Sequence, residues 1–168
     1  MSDLRLRINL FDDHLSRLIR IKRMEIRKYT PKTDFKAVFE LNKQINPDEN
    51  ETIFRKDTEN SKVVVLLAEK DKAVVGFVSV SFPYWDRIAM THHLVVAPGF
   101  RGCGIGTGLI ISAIELSKTS GMKKLTLRTA LSNSRATDLY KKCGFVPRAV
   151  FADYFGDGND MVWMDINL

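Results

Sequence analysis

Only two cysteines, Cys103 and Cys143, occur in the 168 residues. They form neither a metal-ligand spacing nor the disulfide framework of a secreted domain. Both read as reduced thiols filling small spaces, and no metal is expected. No apolar run approaches the ~20 residues that cross a bilayer, and the N-terminus shows neither the apolar segment nor the small-residue cleavage site of a signal peptide. A soluble, cytoplasmic protein with no membrane partner is the expectation. Repeats and low-complexity linkers are missing too, so at 45% hydrophobic residues the chain is expected to build one domain around a substantial core.

The formal charge of +6 is unevenly spread. Residues 1–23 hold Arg5, Arg7, Arg17, Arg20, Lys22 and Arg23 against Asp3, Asp12 and Asp13, a basic amphipathic extension that also carries Leu15, Leu18, Ile19 and Ile21. It reads either as a helix or as sequence upstream of a start at Met24. No aromatic-rich basic stripe or groove-reading motif accompanies it, so nucleic acid is not the expected partner. The positive charge reads first as general attraction to an anionic cofactor or acceptor.

What the chain does have is glycine, concentrated in one place. Residues 96–108 read V-A-P-G-F-R-G-C-G-I-G-T-G, directly after one apolar run and directly before another. Glycine in a regular element costs roughly 0.5–1 kcal/mol relative to alanine, so this stretch must need bare backbone. A dinucleotide fingerprint fails, because its third glycine would fall on Thr107 or Leu109. A P-loop fails as well, since Gly99 to Gly104 is followed by Ile105-Gly106 instead of Lys and Ser/Thr. What remains is a strand, a glycine-rich turn and a helix start. Consecutive N–H groups there converge on one spot, and the helix N-terminus favours an anion.

The periodicities place this turn in a β-α-α-β-β-β-α-β-α-β-β order, a mixed α/β (α+β) class. Met24 opens the first strand. Asp34 reads as the N-cap of a helix to about Gln44, and a second short helix ends near Thr58. Val63–Ala68 and Val74–Phe82 read as strands joined by Lys70-Asp71-Lys72. Ile88–Val96 enters the glycine turn, and the following helix ends at Gly121. Leu125–Ala130 is a strand, Asn133 caps a helix through Lys142 that Gly144 ends, and Phe145–Tyr154 pairs with Met161–Ile166 across Gly156-Asp157-Gly158-Asn159.

Two motifs together give this pattern a family likeness. Arg101-x-x-Gly104-x-Gly106, then Asn133-x-x-Ala136 with Leu139-Tyr140 and Cys143-Gly144-Phe145, resemble the GNAT superfamily of acyl-CoA-dependent N-acyltransferases over residues 24–168. The resemblance implies a single domain with a central, mostly antiparallel mixed sheet, flanked by helices and splayed between strands 4 and 5. It implies acetyl-CoA as co-substrate, its pyrophosphate held by N–H groups from Gly102, Cys103, Gly104, Ile105, Gly106 and Thr107. Arg101 would supply charge or hold the turn. Backbone at Leu94, Val95 and Val96 would polarise the thioester carbonyl. Glycine at 104 and 106 would let backbone reach phosphate, which a side chain at either position would prevent.

By the same resemblance Tyr140 is the general acid that protonates the departing thiolate, although an inward helix face beside Leu139 also suits a core tyrosine. Asn133 would contact the cofactor, cap its helix, or do both. Many relatives carry a Glu, often Glu-Asp, in the strand before the turn, where this chain reads His92-His93. Strand alternation sends the two to opposite faces, His92 with Met90 and Leu94. A histidine near its ordinary pKa of ~6.5 can take a proton from an amine, so His92 is the candidate base, with a structural role the alternative for each histidine. Relatives that acetylate protein N-termini are echoed by Tyr154 and Asp160-Met161, but where several of them carry a Glu this chain has Arg128.

The implied function is acetyl transfer to a primary amine, in a small molecule or at a protein N-terminus, by direct attack in a ternary complex. The contrasting expectation is a non-catalytic acyl-CoA-binding regulatory module with a basic partner-binding arm. A homodimer is compatible with either.

Overall fold

The computed structural model describes residues 24–168. The N-terminal extension expected over residues 1–23 lies outside the described residues.

The order is β1 (Met24–Lys28), α1 (Pro31–Lys43), α2 (Glu51–Thr58), β2 (Val63–Lys70), β3 (Ala73–Ser81), β4 (Ile88–Val96), α3 (Ile105–Thr119), β5 (Lys124–Ala130), α4 (Ser134–Lys142), β6 (Val146–Phe151) and β7 (Met161–Asn167). One 3-10 turn, Pro98–Phe100, precedes α3. The strands form a single sheet in the order β1-β2-β3-β4-β5-β7-β6. All neighbours are antiparallel except β4 and β5, which run parallel.

That parallel pair opens almost at once. Register pairs join Ile88 to Lys124, Ala89 to Leu125 and Met90 to Thr126, and none follows. From Thr91 onward the two strands diverge, the splay that the family resemblance implies.

Alternation along the strands builds a core on each face. On one face α3 packs Ile105, Leu109, Ile110 and Ala113 against Leu66, Val78, Val80, Ala89, Leu125 and Leu127, joined by Tyr140 and Phe145. On the other, α1 and α2 pack Phe35, Val38, Leu41 and Phe54 against Val65, Leu67, Phe77 and Val95. Phe54 anchors this side, its ring 6.3 Å from Phe35 and 6.2 Å from Phe77.

Three local expectations are corrected. Asp34 is not an N-cap: the cap position is Thr30, with Pro31 at the first helical position where its missing N–H costs nothing. The Asp34 carboxylate instead reaches back to accept from Thr30 N–H at 2.8 Å and from Arg27 at 2.7 and 3.0 Å. The last hairpin is also shorter on its first side, because Phe145 is buried in the core before β6 begins. Left-handed residues at Asp153, Gly156, Asp157 and Gly158 then carry the chain round a longer loop before β7. Finally, Cys103 fills no small space. It is exposed, its thiol reaching only the Arg101 carbonyl at 3.8 Å, whereas Cys143 is half-buried against the core.

Candidate active site

The glycine turn is a backbone feature. Gly102 and Gly104 both have φ of +79°, in the left-handed region that suits glycine, and open space lies where a Cβ would stand at either. The first intrahelical bond of α3 runs from Gly108 N–H to Gly104 carbonyl. Every N–H from Gly102 to Thr107 is therefore ahead of the helical ladder, and none has a hydrogen-bond partner among the described residues. A run of unpaired N–H groups at a helix N-terminus fits a phosphate or pyrophosphate. Arg101 holds the turn, its Nε donating to the Val96 carbonyl at 3.0 Å.

Gly106 has a different reason. A Cβ there would meet Leu139 Cδ1 at 2.9 Å, so this glycine lets α4 lie close against the start of α3.

The end of β4 supplies the next group. His93 donates its N–H to Ser79 Oγ and Ala97 donates to the Val75 carbonyl, so alternate residues of β4 turn toward β3. The intervening Leu94 and Val96 turn their N–H groups toward β5, which has already diverged. Val95 faces the other way, with its side chain buried on the α1/α2 face. Unpaired backbone thus lines the splay beside the glycine turn.

Tyr140 sits on the α3 face, 7% exposed, with its ring 5.9 Å from Phe145. Burial, and secondarily the neighbouring Cys143, pushes its phenol up to about 12, so it keeps its proton at neutral pH. Among the described residues nothing hydrogen-bonds its hydroxyl, yet that oxygen is not one of the sealed, unpartnered ones, which are Tyr29 Oη and Thr91 Oγ1. Asn133 is the N-cap of α4, accepting from Ala136 N–H at 3.1 Å.

The two histidines do not part company as alternation predicts. Ser79 is in register with His93 and Val80 with Thr91, leaving His92 as the extra residue of a β-bulge. The bulge puts Met90 and Leu94 on opposite faces and turns both imidazoles to the α1/α2 side. There His92 Nε2 lies 2.7 Å from Ser81 Oγ and His93 Nδ1 lies 2.9 Å from Ser79 Oγ. Both line one cavity of about 350 Å³ with Asp57, Thr58, Asn60, Lys62, Ser79 and Ser81. Burial lowers the pKa of each below the ordinary imidazole value; Arg128 adds to this at His92, and His92 adds to it at His93. Both are therefore neutral at pH 7 and able to accept a proton.

The acid candidate and the base candidates thus stand on opposite faces of the sheet, with the splay between them. Sequence reasoning missed the cavity wall of Asp57, Thr58, Asn60, Lys62, Ser79 and Ser81, for which no motif speaks. Its one usable signal was the His-His pair itself, whose geometry a bulge rewrote.

The family model described as Acetyltransferase (GNAT) family matches residues 27–145. The chain belongs to the GNAT acetyltransferase family. A Bacillus subtilis relative named for alanine N-acetylation of ribosomal protein bS18 is 29% identical over 125 residues, 73% of this chain and 82% of the relative. Spermidine N(1)-acetyltransferase of Vibrio cholerae is 29% identical over 111 residues, 64% of each chain. The crystal structure of the Escherichia coli ribosomal-protein-S18-alanine N-acetyltransferase superposes with a TM-score of 0.78 over 86% of this chain and 94% of that one. At 19% identity that likeness speaks for the fold alone. Family membership makes this protein an acetyltransferase and not a binding-only module.

Proposed function

We propose that this enzyme transfers the acetyl group of acetyl-CoA to a primary amine by direct attack in a ternary complex. The observation that carries the reading is the unpartnered N–H run from Gly102 to Thr107 beside the splayed edge of β4. Acetyl-CoA supplies an activated thioester; this chain's residues hold it, orient it and move the protons.

The N–H groups of Gly102 to Thr107 bind the pyrophosphate, with Arg101 keeping the turn closed on β4 and Asn133 at the facing helix start. Leu94 and Val96 N–H groups, free of β5, hydrogen-bond the arm and its carbonyl oxygen, stabilising the negative charge that gathers there during attack. The amine enters from the α1/α2 face, where His92, with His93 beside it, takes its proton. The amine nitrogen bonds to the carbonyl carbon, the carbon–sulfur bond breaks, and Tyr140 gives its proton to the departing sulfur. A phenol held well above neutral pH by burial is protonated at rest and carries no charge into the core.

The test is thiol release from acetyl-CoA across a panel of primary amines. Release that depends on the amine and saturates with it is expected. Coenzyme A binding without amine-dependent release from any panel member would overturn the proposal.

A further inference from the structure

The lining of the cavity of His92 and His93 carries one carboxylate and one ammonium, Asp57 and Lys62, and a second cation lies beyond it. Asp57 belongs to α2. The second cation, Arg128, stands across the splay. Met90 and Thr126 are the last register pair of β4 and β5, and Arg128 follows Thr126 by two residues on the same face, as the bulged His92 follows Met90. The electrostatics agree: Arg128 lowers the His92 pKa and Asp57 raises it, so both charges are felt at that imidazole.

Arg128 differs from the other arginines packed on the sheet. Arg27 is paired with Asp34 and Glu69, and Arg148 with Asp165. Arg128 is exposed and pairs with no carboxylate among the described residues. Its Nη1 donates to Tyr154 Oη at 2.7 Å, and its guanidinium lies 5.7 Å from the centre of that ring. Tyr154 stands in the loop between β6 and β7 and is itself braced by Phe155, ring to ring at 5.1 Å. A guanidinium held by one neutral hydroxyl keeps most of its donors for a ligand, and its planar fork suits a carboxylate.

Resting on the proposed acetyl transfer, we infer that the acceptor is a zwitterion of the amino-acid class, its amine at Asp57 and the two histidines and its carboxylate on Arg128. Tyr154 is the positioning residue that aims the guanidinium. The same cation disfavours a polycationic acceptor such as a polyamine, because like charges would meet at the mouth of the site.

The experiment compares matched amines with the full-length enzyme: free amino acids, their C-terminal amides, and the amines lacking the carboxyl group, each followed by thiol release. The wild type should favour the acid over its amide in kcat/KM by roughly 10–100-fold, the range expected of a charge-assisted contact. Arg128→Gln should abolish that ratio through KM of the acid with the KM for acetyl-CoA in place; because Arg128 also lowers the His92 pKa, acid and amide are compared within each variant at one pH. Arg128→Lys should restore part of it. Tyr154→Phe, which keeps the ring, should raise KM for the acid with kcat unchanged. Turnover of amides or polyamines at least as good as that of the acids, or an Arg128→Gln ratio equal to wild type, overturns this inference and leaves acetyl transfer standing. Absence of thiol release with every amine removes acetyl transfer, and this inference with it.

Discussion

The two faces of the β4–β5 gap are built by different means. On the α3 face the site is main chain: unpaired N–H groups from Gly102 to Thr107 and the free edge at Leu94 and Val96. On the α1/α2 face it is side chain, with two imidazoles, two serine hydroxyls and Asp57 gathered from α2, β3 and β4. A main-chain site suits a group that many ligands share, such as a phosphate, and it needs a backbone shape that only certain residues adopt. A side-chain site can be changed one residue at a time without touching the sheet. In the proposed reading the main-chain half holds the donor and the side-chain half the acceptor, in a family whose members are named for spermidine and for ribosomal-protein alanine.

The comparison can be pressed where a single group serves each face. Tyr140→Phe removes only a hydroxyl and keeps the ring against Phe145. If that hydroxyl protonates the leaving sulfur, kcat should fall about 10²–10⁴-fold with little change in acetyl-CoA affinity, as steady-state and single-turnover kinetics would show. A fully active variant would return Tyr140 to a packing role.

On the opposite face, His92→Ala with His93→Ala should cost about 10²-fold at pH 7. Because base catalysis matters most while the amine is protonated, the deficit should shrink as pH rises toward the amine's own pKa. The wild-type rate should fall on acidification only below the ordinary imidazole range of ~6.5, since burial lowers both histidines. Superimposable pH profiles for variant and wild type would assign the proton to water. Each single variant should show a smaller, similarly shaped deficit, because the bulge turns both rings into one cavity.

Away from the gap, Asp34→Ala tests the frame of the α1/α2 face. Burial alone would raise this carboxyl's pKa, but hydrogen bonds from Arg27 and Thr30 hold it below the usual carboxylate range. Its contribution is therefore present above the unfolded carboxylate pKa of ~3.9 and is lost as pH falls through the folded value. Urea unfolding at pH 7 should show a loss of about 1.5–3 kcal/mol, narrowing toward zero in acid. Equal stability at pH 7 would leave the ion pair without energetic weight.

The same contrast explains what was legible in the chain. Glycine spacing announces a main-chain site because φ near +79° at Gly102 and Gly104 excludes most other residues. Strand and helix order followed from periodicity, with β4 spanning Ile88–Val96 as expected. The bulge at His92 was not legible, since inserting a residue opposite Ser79 and Val80 leaves no mark on local alternation. Asp34 misled for a related reason: its carboxylate does serve the first turn of α1, but from inside the helix, reaching back to Thr30. The second constraint on Gly106 was not legible either, since the side chain that a Cβ there would meet is Leu139, a residue of a helix that begins well beyond the turn.

The claim that most needs testing is that the main chain from Gly102 to Thr107 is the donor site. Gly104 permits a clean probe, because its φ of +79° would strain a valine, while asparagine tolerates the left-handed region and still places a side chain in the open space above the turn. Coenzyme A should be titrated calorimetrically into wild type and Gly104→Asn, with thermal unfolding of both followed in parallel. The predicted result is saturable binding to wild type and an affinity lower by roughly 10–100-fold in the variant, with cooperative unfolding retained. Equal affinities, or no binding to wild type, would contradict it.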